Sequence, residues 1–274
     1  MTAPALPTLR DVIKRHGLGA RRSLGQHFLL DGNLTDRIVR AAGPLEGINV
    51  IEIGPGPGGL TRSLLASPAQ RVYAIEKDRR CQAAMAELAT AHADRLHIIS
   101  DDALETDLPS LVPEPRKIVA NLPYNVGTPL LLRWLRQIDA YESLTLMFQS
   151  EVADRLVAVP RTKPYGRLSI ITQWLCEITA AFNVSKDAFT PPPKVASTVV
   201  NLIPRAAPLA PADWSSLETV TAAAFGQRRK MLRASLKSLN LDLAAAGVEG
   251  TARAEELGVA AFCALARLHG ARQG

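Results

Sequence analysis

The sequence predicts an α/β protein: a mostly parallel, doubly wound sheet with an antiparallel end, followed by a small all-helical domain. Three observations carry that expectation. Between Asn49 and Val157 strand-like and helix-like segments alternate, the order that builds a parallel sheet with crossover helices on its faces. A glycine-rich turn from Gly54 to Gly59 joins the first of these strands to the first of these helices, as it does where such sheets bind ligands. From Trp214 to His269 the chain is rich in Ala and Leu at helical spacing, without strand signal.

The elements follow in order. A basic arm ending in Arg21 and Arg22 precedes Asp31 and Asn33, either of which can cap a helix whose apolar face is Leu34, Ile38, Val39 and Ala42. Asn49 to Ile53 reads as a strand and Leu60 to Ala66 as a helix. Arg71 to Ile75 is a second strand, and an Ala-rich helix runs from about Arg79 to Ala91. Leu96 to Ile99 and Lys117 to Ala120 are the third and fourth strands. Pro129 to Ile138 is helical, with Pro129 in the first turn, where a missing N–H does no harm. Leu144 to Phe148 is the fifth strand, and Ser150 caps a helix reaching about Val157.

The pattern then changes. Leu168 to Phe182 is β-rich and aromatic, and Val195 to Ile203 alternates as a strand does. With Pro191-Pro192-Pro193 between them, these two are expected to form an antiparallel pair ending the sheet. Pro204 to Pro211 reads as a linker. The expected domains are therefore residues 1–204 and residues 205–274.

The chain has 274 residues, 47% hydrophobic and 21% charged, which suits a globular protein with a sizeable core. Thirty-two Lys and Arg against 26 Asp and Glu leave +6, and the pI is near 9.5. That excess favours an anionic partner. Cys81, Cys176 and Cys263 are too scattered for a disulfide framework or a Cys-x-x-Cys pair, which fits a reducing compartment. No metal is expected, since the five histidines show no ligand spacing. There is no signal-like or membrane-length apolar run, so a cytoplasmic protein without membrane contact is expected.

Candidate site residues stand at successive strand ends. Gly54, Gly56 and Gly59 satisfy G-x-G-x-x-G, a pattern that lets a ligand approach the backbone and discriminates weakly between a pyrophosphate and S-adenosylmethionine. Glu52 two residues before the first glycine, with Pro55 and Pro57 stiffening the loop, tilts the choice towards a methyltransferase. Glu76 closes the second strand and can accept from both ribose hydroxyls. After the third strand, Asp102 can accept from an adenine amine, with Asp101 as its competitor. The fourth strand ends in Asn121-Leu122-Pro123-Tyr124. Here the amide oxygen of Asn121 and the Leu122 carbonyl can grip an exocyclic –NH2 group while Tyr124 stacks on its ring.

The segments LGQHFLLD, IEIGPGPGGLT, IEKD, DDAL, NLPYN, MFQSEVADRL, KPYGRLS, FTPPPKV and FGQRRKMLR occur in this order over roughly residues 20 to 240. In this the chain resembles the ribosomal RNA adenine dimethyltransferase family. The resemblance implies a Rossmann-like class I methyltransferase. It would transfer two methyl groups from S-adenosylmethionine to the N6 amine of each of two adjacent adenosines near the 3′ end of small-subunit (16S) ribosomal RNA, releasing S-adenosylhomocysteine. It implies cofactor contacts at His27, Leu29, Gly54, Glu76, Asp102 and Asn121, to which the loop adds Gly56. His27 stands where many members have Asn, and an imidazole can also donate towards the cofactor carboxylate.

The implied chemistry places catalysis on Asn121, Leu122, Pro123 and Tyr124. Two acceptors would favour a pyramidal amine whose lone pair faces the sulfonium methyl, so alignment does most of the work and no dedicated base is expected. Leu122 stands where DNA adenine methyltransferases often carry Pro, leaving room for the first methyl during the second transfer. A paired base cannot enter such a pocket; Tyr124 and Phe189 are the expected stacking rings. Arg21, Arg22, Arg228, Arg229, Lys230 and Arg233 are expected on the RNA backbone, the last four at the start of a helix, with Arg155, Arg161, Lys163 and Arg167 around a loop. The expected partner is the small ribosomal subunit and its 16S rRNA, bound by a monomer during subunit biogenesis. The competing readings are a non-enzymatic ribosome-assembly factor on the same fold, a DNA adenine methyltransferase and an NAD-dependent oxidoreductase.

Overall fold

The structure, a computed structural model, describes residues 6–19 and 26–272. After α1 (Leu9–Arg15) and a two-residue strand β1 (Phe28–Leu29) comes α2 (Gly32–Ala41). Of the two expected caps Asp31 is the one used: its carboxylate accepts from the Asn33 amide at 2.9 Å, satisfying a donor the helix leaves orphaned. The alternation then runs β2 (Asn49–Ile53), α3 (Gly59–Ala66), β3 (Arg71–Ile75), α4 (Arg79–Ala91), β4 (Leu96–Ile99), a short α5 (Leu108–Leu111), β5 (Arg116–Asn121), α6 (Gly127–Leu135), β6 (Ser143–Gln149) and α7 (Ser150–Val157). Next come α8 (Arg167–Leu175), β7 (Cys176–Val184), β8 (Phe189–Thr190) and β9 (Ser197–Pro204). The last helices are α9 (Trp214–Gly226), α10 (Leu232–Ser235) and α11 (Val259–Gly270).

One sheet has the order β4-β3-β2-β5-β6-β9-β7. β2 pairs in parallel with β3 and β5, β3 with β4, and β5 with β6. β9 runs antiparallel to β6 and carries β7 at its outer edge, so the non-parallel end lies where it was expected. A separate antiparallel pair joins β1 to β8, with Leu29 opposite Phe189. The strand order reverses between β2 and β5, whose carboxyl ends open on one crevice, the place where such sheets bind ligands. Ile51 pairs with Ile118, and beyond the strand ends Gly54 lies against the Pro123 ring, to which a Cβ on it would come within 3.4 Å. Every residue of β2 is buried, as befits a parallel strand covered on both faces.

The described chain divides into two compact units, Met1–Ser150 with Ala180–Ile203, and Glu151–Thr179 with Pro204–Gly274. The last division lies between Ile203 and Pro204, and residues 151–179, expected with the sheet, group with the helices. The cause is α8, where a β-rich segment was expected. Ile170, Ile171 and Thr172 are β-branched and bias the segment towards strand. Yet Ile170 and Trp174, four apart, enter one apolar core with Leu217 of α9 and Phe262 of α11, and such burial overrides a weak propensity. The Thr172 hydroxyl bonds back to the Leu168 carbonyl at 2.6 Å, a helical alternative open to threonine.

A second difference concerns the basic run. Arg228-Arg229-Lys230 was expected to start a helix, but α9 ends at Gly226 and the run forms the turn before α10. Met231 bridges to Arg253, and the Leu232 amide donates to the Ala252 carbonyl at 2.8 Å. α1, β1, α5 and β8 were not foreseen: each is too short for periodicity to reveal. Among the described residues no helix is long and apolar enough to cross a membrane.

Ile118 is fully buried in β5, the strand that delivers Asn121 to the crevice. Ile118→Ala is expected to destabilise the protein by about 2–5 kcal/mol through lost burial and a residual cavity. Urea unfolding followed by circular dichroism reads this; an unchanged midpoint would contradict it.

Candidate active site

The loop after β2 is wound tightly. Gly54 and Gly56 lie at φ +64° and +57°, a left-handed conformation that glycine adopts without steric penalty. The Gly54 amide donates to the Ile75 carbonyl at 2.9 Å, and the Gly58 amide to that of Pro55 at 3.0 Å. Gly59 begins α3, and a Cβ there would sit 2.4 Å from the Leu29 carbonyl oxygen. Only glycine lets β1 pass the loop so closely. Residues 26–29 thereby wall a cavity with the loop, and Ala103, Asn121 and Leu130 complete it. His27, Leu29, Gly54, Gly56, Glu76, Asp102 and Asn121, singled out from the sequence, all line it.

The carboxylates there differ in state. Glu76, mostly buried, accepts from the Gly56 amide at 3.2 Å and the Asp78 amide at 2.8 Å. Burial raises its pKa, and the amide of Asp78 and then that of Gly56 pull it back. Glu52 is 2% exposed and accepts from the Thr61 hydroxyl at 2.6 Å. Burial pushes its pKa up to about 8; the Thr61 hydroxyl opposes this and the charge of Glu76 adds to it. Asp102 behaves oppositely. The Leu104 amide at 3.0 Å and then the Lys77 ammonium at 2.9 Å hold its carboxyl below the usual range. Asp101 instead accepts from the Asp102 amide and the Thr106 hydroxyl, each at 2.8 Å, and does not line the cavity.

At the end of β5 the Asn121 side chain is oriented by its amide nitrogen, which donates to the His27 carbonyl at 3.2 Å. Its oxygen is thus the acceptor turned away from that contact. The Pro123 carbonyl takes the amides of Val126 and Gly127, each at 3.1 Å, which leaves the Leu122 carbonyl outside that turn. Leu122 itself is buried. Tyr124 is half-buried and its phenol lies 2.6 Å from the Ser197 hydroxyl. The His27 ring sits 5.3 Å from that of Tyr124, tilted by 31°.

Two expectations are corrected here. Phe189, expected as the second stacking ring, is 2% exposed in the core and meets the His27 ring at 6.4 Å and 80°. Its backbone is tied to Leu29 by the β1–β8 pairing, so in this arrangement it offers a base no face. His27 Nδ1 lies 2.7 Å from the Pro191 carbonyl oxygen. A carbonyl only accepts, so Nδ1 carries the hydrogen and Nε2 of the neutral ring holds a lone pair. Donation towards a carboxylate from that nitrogen therefore requires the imidazolium.

The basic residues are equally mixed. Arg21 and Arg22 lie outside the described residues. Arg228 directs two donors inward, to Glu255 at 2.8 Å and the Thr162 carbonyl at 3.3 Å, and was expected to face RNA. Arg155 pairs with Glu151 at 2.5 Å and Arg161 with Glu256 at 4.0 Å. Arg229, Lys230 and Arg233 are exposed and make no ion pair among the described residues.

Sequence reasoning assigned no role to Lys77, Thr61, Gln26 or Ser197. Lys77 was legible in IEKD as the residue after Glu76, but its partner is 25 positions away. Gln26 reaches Asp78 at 3.1 Å and ties the 26–29 wall to the cap of α4. Neither contact leaves a local signal. Among the described residues no group of three or more His, Cys, Asp and Glu side chains is arranged to hold a metal ion.

The state of Glu52 has a measurable consequence. Its folded pKa of about 8 exceeds the ordinary 4.5, so the folded protein holds this proton more tightly than the unfolded chain. The stabilisation is fully present below pH 4.5 and is lost as pH rises through about 8. Glu52→Gln is therefore expected to flatten the fall in unfolding free energy across that window. Identical slopes in the two proteins would mean that Glu52 is ionised when folded.

The comparisons with known proteins agree on one family. The family model described as ribosomal RNA adenine dimethylase matches residues 17–269. A ribosomal RNA small subunit methyltransferase A from Paramagnetospirillum magneticum is 63% identical over 97% of this chain and 96% of its own length. Its counterpart in Rhodospirillum rubrum is 61% identical over 96% and 92%. Among solved structures, a dimethyladenosine transferase from Plasmodium falciparum superposes with a TM-score of 0.76 at 27% identity, covering 87% of this chain and 96% of that one. The 23S rRNA methyltransferase ErmE gives 0.66 at 28%, covering 89% and 99%. The oxidoreductase reading of the glycine loop falls away, because the match extends over sheet and helices alike: the chain belongs to the ribosomal RNA adenine dimethylase family.

Proposed function

We propose that this chain transfers methyl groups from S-adenosylmethionine to the N6 amines of two adjacent adenosines near the 3′ end of 16S rRNA, giving N6-dimethyladenosines during small-subunit biogenesis. The observation that carries this reading is the Asn121 amide, held by the His27 carbonyl so that its oxygen is left to accept, beside a cavity lined by Glu52, Glu76 and Asp102. The relatives named for small-subunit rRNA methylation support the substrate.

The residues present fit the cofactor. Glu76 keeps acceptor capacity for a ribose diol beyond its two amide bonds. Asp102 can take an adenine amine, and Ile53, Ala103 and Leu130 supply apolar walls for the ring. A carboxylate-lined, partly desolvated pocket also suits a ligand bearing ammonium and sulfonium charge. Bound there, S-adenosylmethionine supplies an already activated methyl group.

The protein's own task is alignment. Asn121 Oδ1 and the Leu122 carbonyl accept from the target amine and fix the direction of its lone pair. Tyr124 stacks on a base that has left its helix, an interaction worth roughly 1–3 kcal/mol. Pro123 contributes no N–H that would compete for the acceptors. The amine sheds its proton to water after transfer, so no base is assigned. Arg229, Lys230 and Arg233, in the helical unit, contact phosphates, and the chain acts in the cytoplasm as a monomer without metal.

Labelled S-adenosylmethionine, offered with naked 16S rRNA or immature small subunits, is expected to yield N6-dimethyladenosine in nucleoside analysis. Asn121→Ala is expected to lower kcat by about 10²–10³-fold, the usual loss when a preorganised polar group at the reacting centre is removed. Parental turnover in that variant would overturn the reading. Replacing Arg229, Lys230 and Arg233 together by Gln is expected to reduce the slope of log affinity against log salt by about 0.7–0.9 per lost phosphate contact. An unchanged slope would place the RNA elsewhere.

A further inference from the structure

Ser197, the first residue of β9, is 0% exposed, and its hydroxyl lies 2.6 Å from the Tyr124 phenol. The contact reaches across the sheet. Tyr124 stands in the turn after β5, whereas Ser197 pairs with Gln149 at the end of β6. The serine backbone is therefore held by strand pairing, and the ring it touches belongs to no strand. The neighbouring Thr198 faces the other way, donating to the Asn183 side-chain oxygen at 2.9 Å and lying 3.1 Å from the Ser150 hydroxyl, as alternation along a strand demands. The Ser197 hydroxyl is thus kept out of that network and given to the phenol. With its oxygen tied down and the His27 ring 5.3 Å away, the Tyr124 ring has little freedom to tilt.

We propose that Ser197 is a positioning residue for the target base: through the Tyr124 phenol it sets the tilt of the ring on which adenine stacks. That tilt fixes the height at which the N6 amine meets Asn121 Oδ1 and the Leu122 carbonyl. The inference rests on the adenine-methylating reading above. An amine displaced by about 1 Å loses most of its rate advantage, so a hydroxyl that never touches substrate can still govern turnover. Its effect belongs in kcat, because the cofactor cavity does not include Ser197.

The test is a double-mutant cycle on Ser197→Ala and Tyr124→Phe, which leaves the stacking ring in place. Each single variant is expected to lower kcat roughly three- to tenfold, the rate equivalent of one neutral hydrogen bond. The affinity for S-adenosylmethionine should not change. The double variant should be no slower than either single one, since both remove the same bond. Parental kcat in Tyr124→Phe, or losses that multiply in the double variant, would overturn the proposal. If Ser197→Ala fails to fold, Tyr124→Phe decides alone: a three- to tenfold loss confined to kcat supports the tether, and parental turnover removes it. A parent protein that methylates no adenosine in the same assay would remove the functional reading, and this proposal with it. A methylating parent with multiplying losses removes the proposal alone.

Discussion

The parallel pairing of β2 with β5 is the constraint on which the site depends. Because the strand order reverses there, the loop after β2 and the turn after β5 emerge side by side, with Ile51 paired to Ile118 and Gly54 against the Pro123 ring. One loop supplies a backbone that a ligand can approach; the other supplies a polar tip. Neither is a site alone. The hydrophobic burial of both strands fixes their relative height, and that height brings residues of both loops to one cavity.

A second layer of order comes from outside the sheet's core. The β1 wall passes the glycine loop so closely that a Cβ on Gly59 would collide with the Leu29 carbonyl. The same wall supplies the His27 carbonyl that orients Asn121. The side of the cavity formed by residues 26–29 thus also orients the Asn121 amide at the end of β5. His27 links the two regions further, through its bond to the Pro191 carbonyl and its approach to Tyr124.

The electrostatics separate two kinds of partner. The chain as a whole is basic, with +6 formal charge, yet the cavity lining is rich in carboxylates. Desolvation leaves Glu52 preferring its neutral form, while Asp102 stays ionised beside an amide and an ammonium. A buried carboxyl next to Glu76 that takes a proton avoids placing two uncompensated charges in one small, poorly solvated space. Of the exposed cations of the helical unit, Arg155 and Arg161 are paired with carboxylates, whereas Arg229, Lys230 and Arg233 make no ion pair among the described residues, which leaves them open to screened contacts with an anion.

By itself the sequence determined the alternation of strands and helices, a helix cap at Asp31 or Asn33, the glycine loop, and the residues at each strand end. These are local patterns: period, turn chemistry and propensity act over a few neighbours. It missed α8, where β-branched residues took helical form because Ile170 and Trp174 find a core with α9 and α11. It also placed the basic run in a helix that ends at Gly226. Only the tertiary structure decided that Asp102 rather than Asp101 faces the cavity, that Phe189 is covered, and that Ser197 holds Tyr124. Those outcomes depend on contacts between residues far apart in the chain, and no local pattern encodes which of two adjacent side chains a folded sheet turns inward.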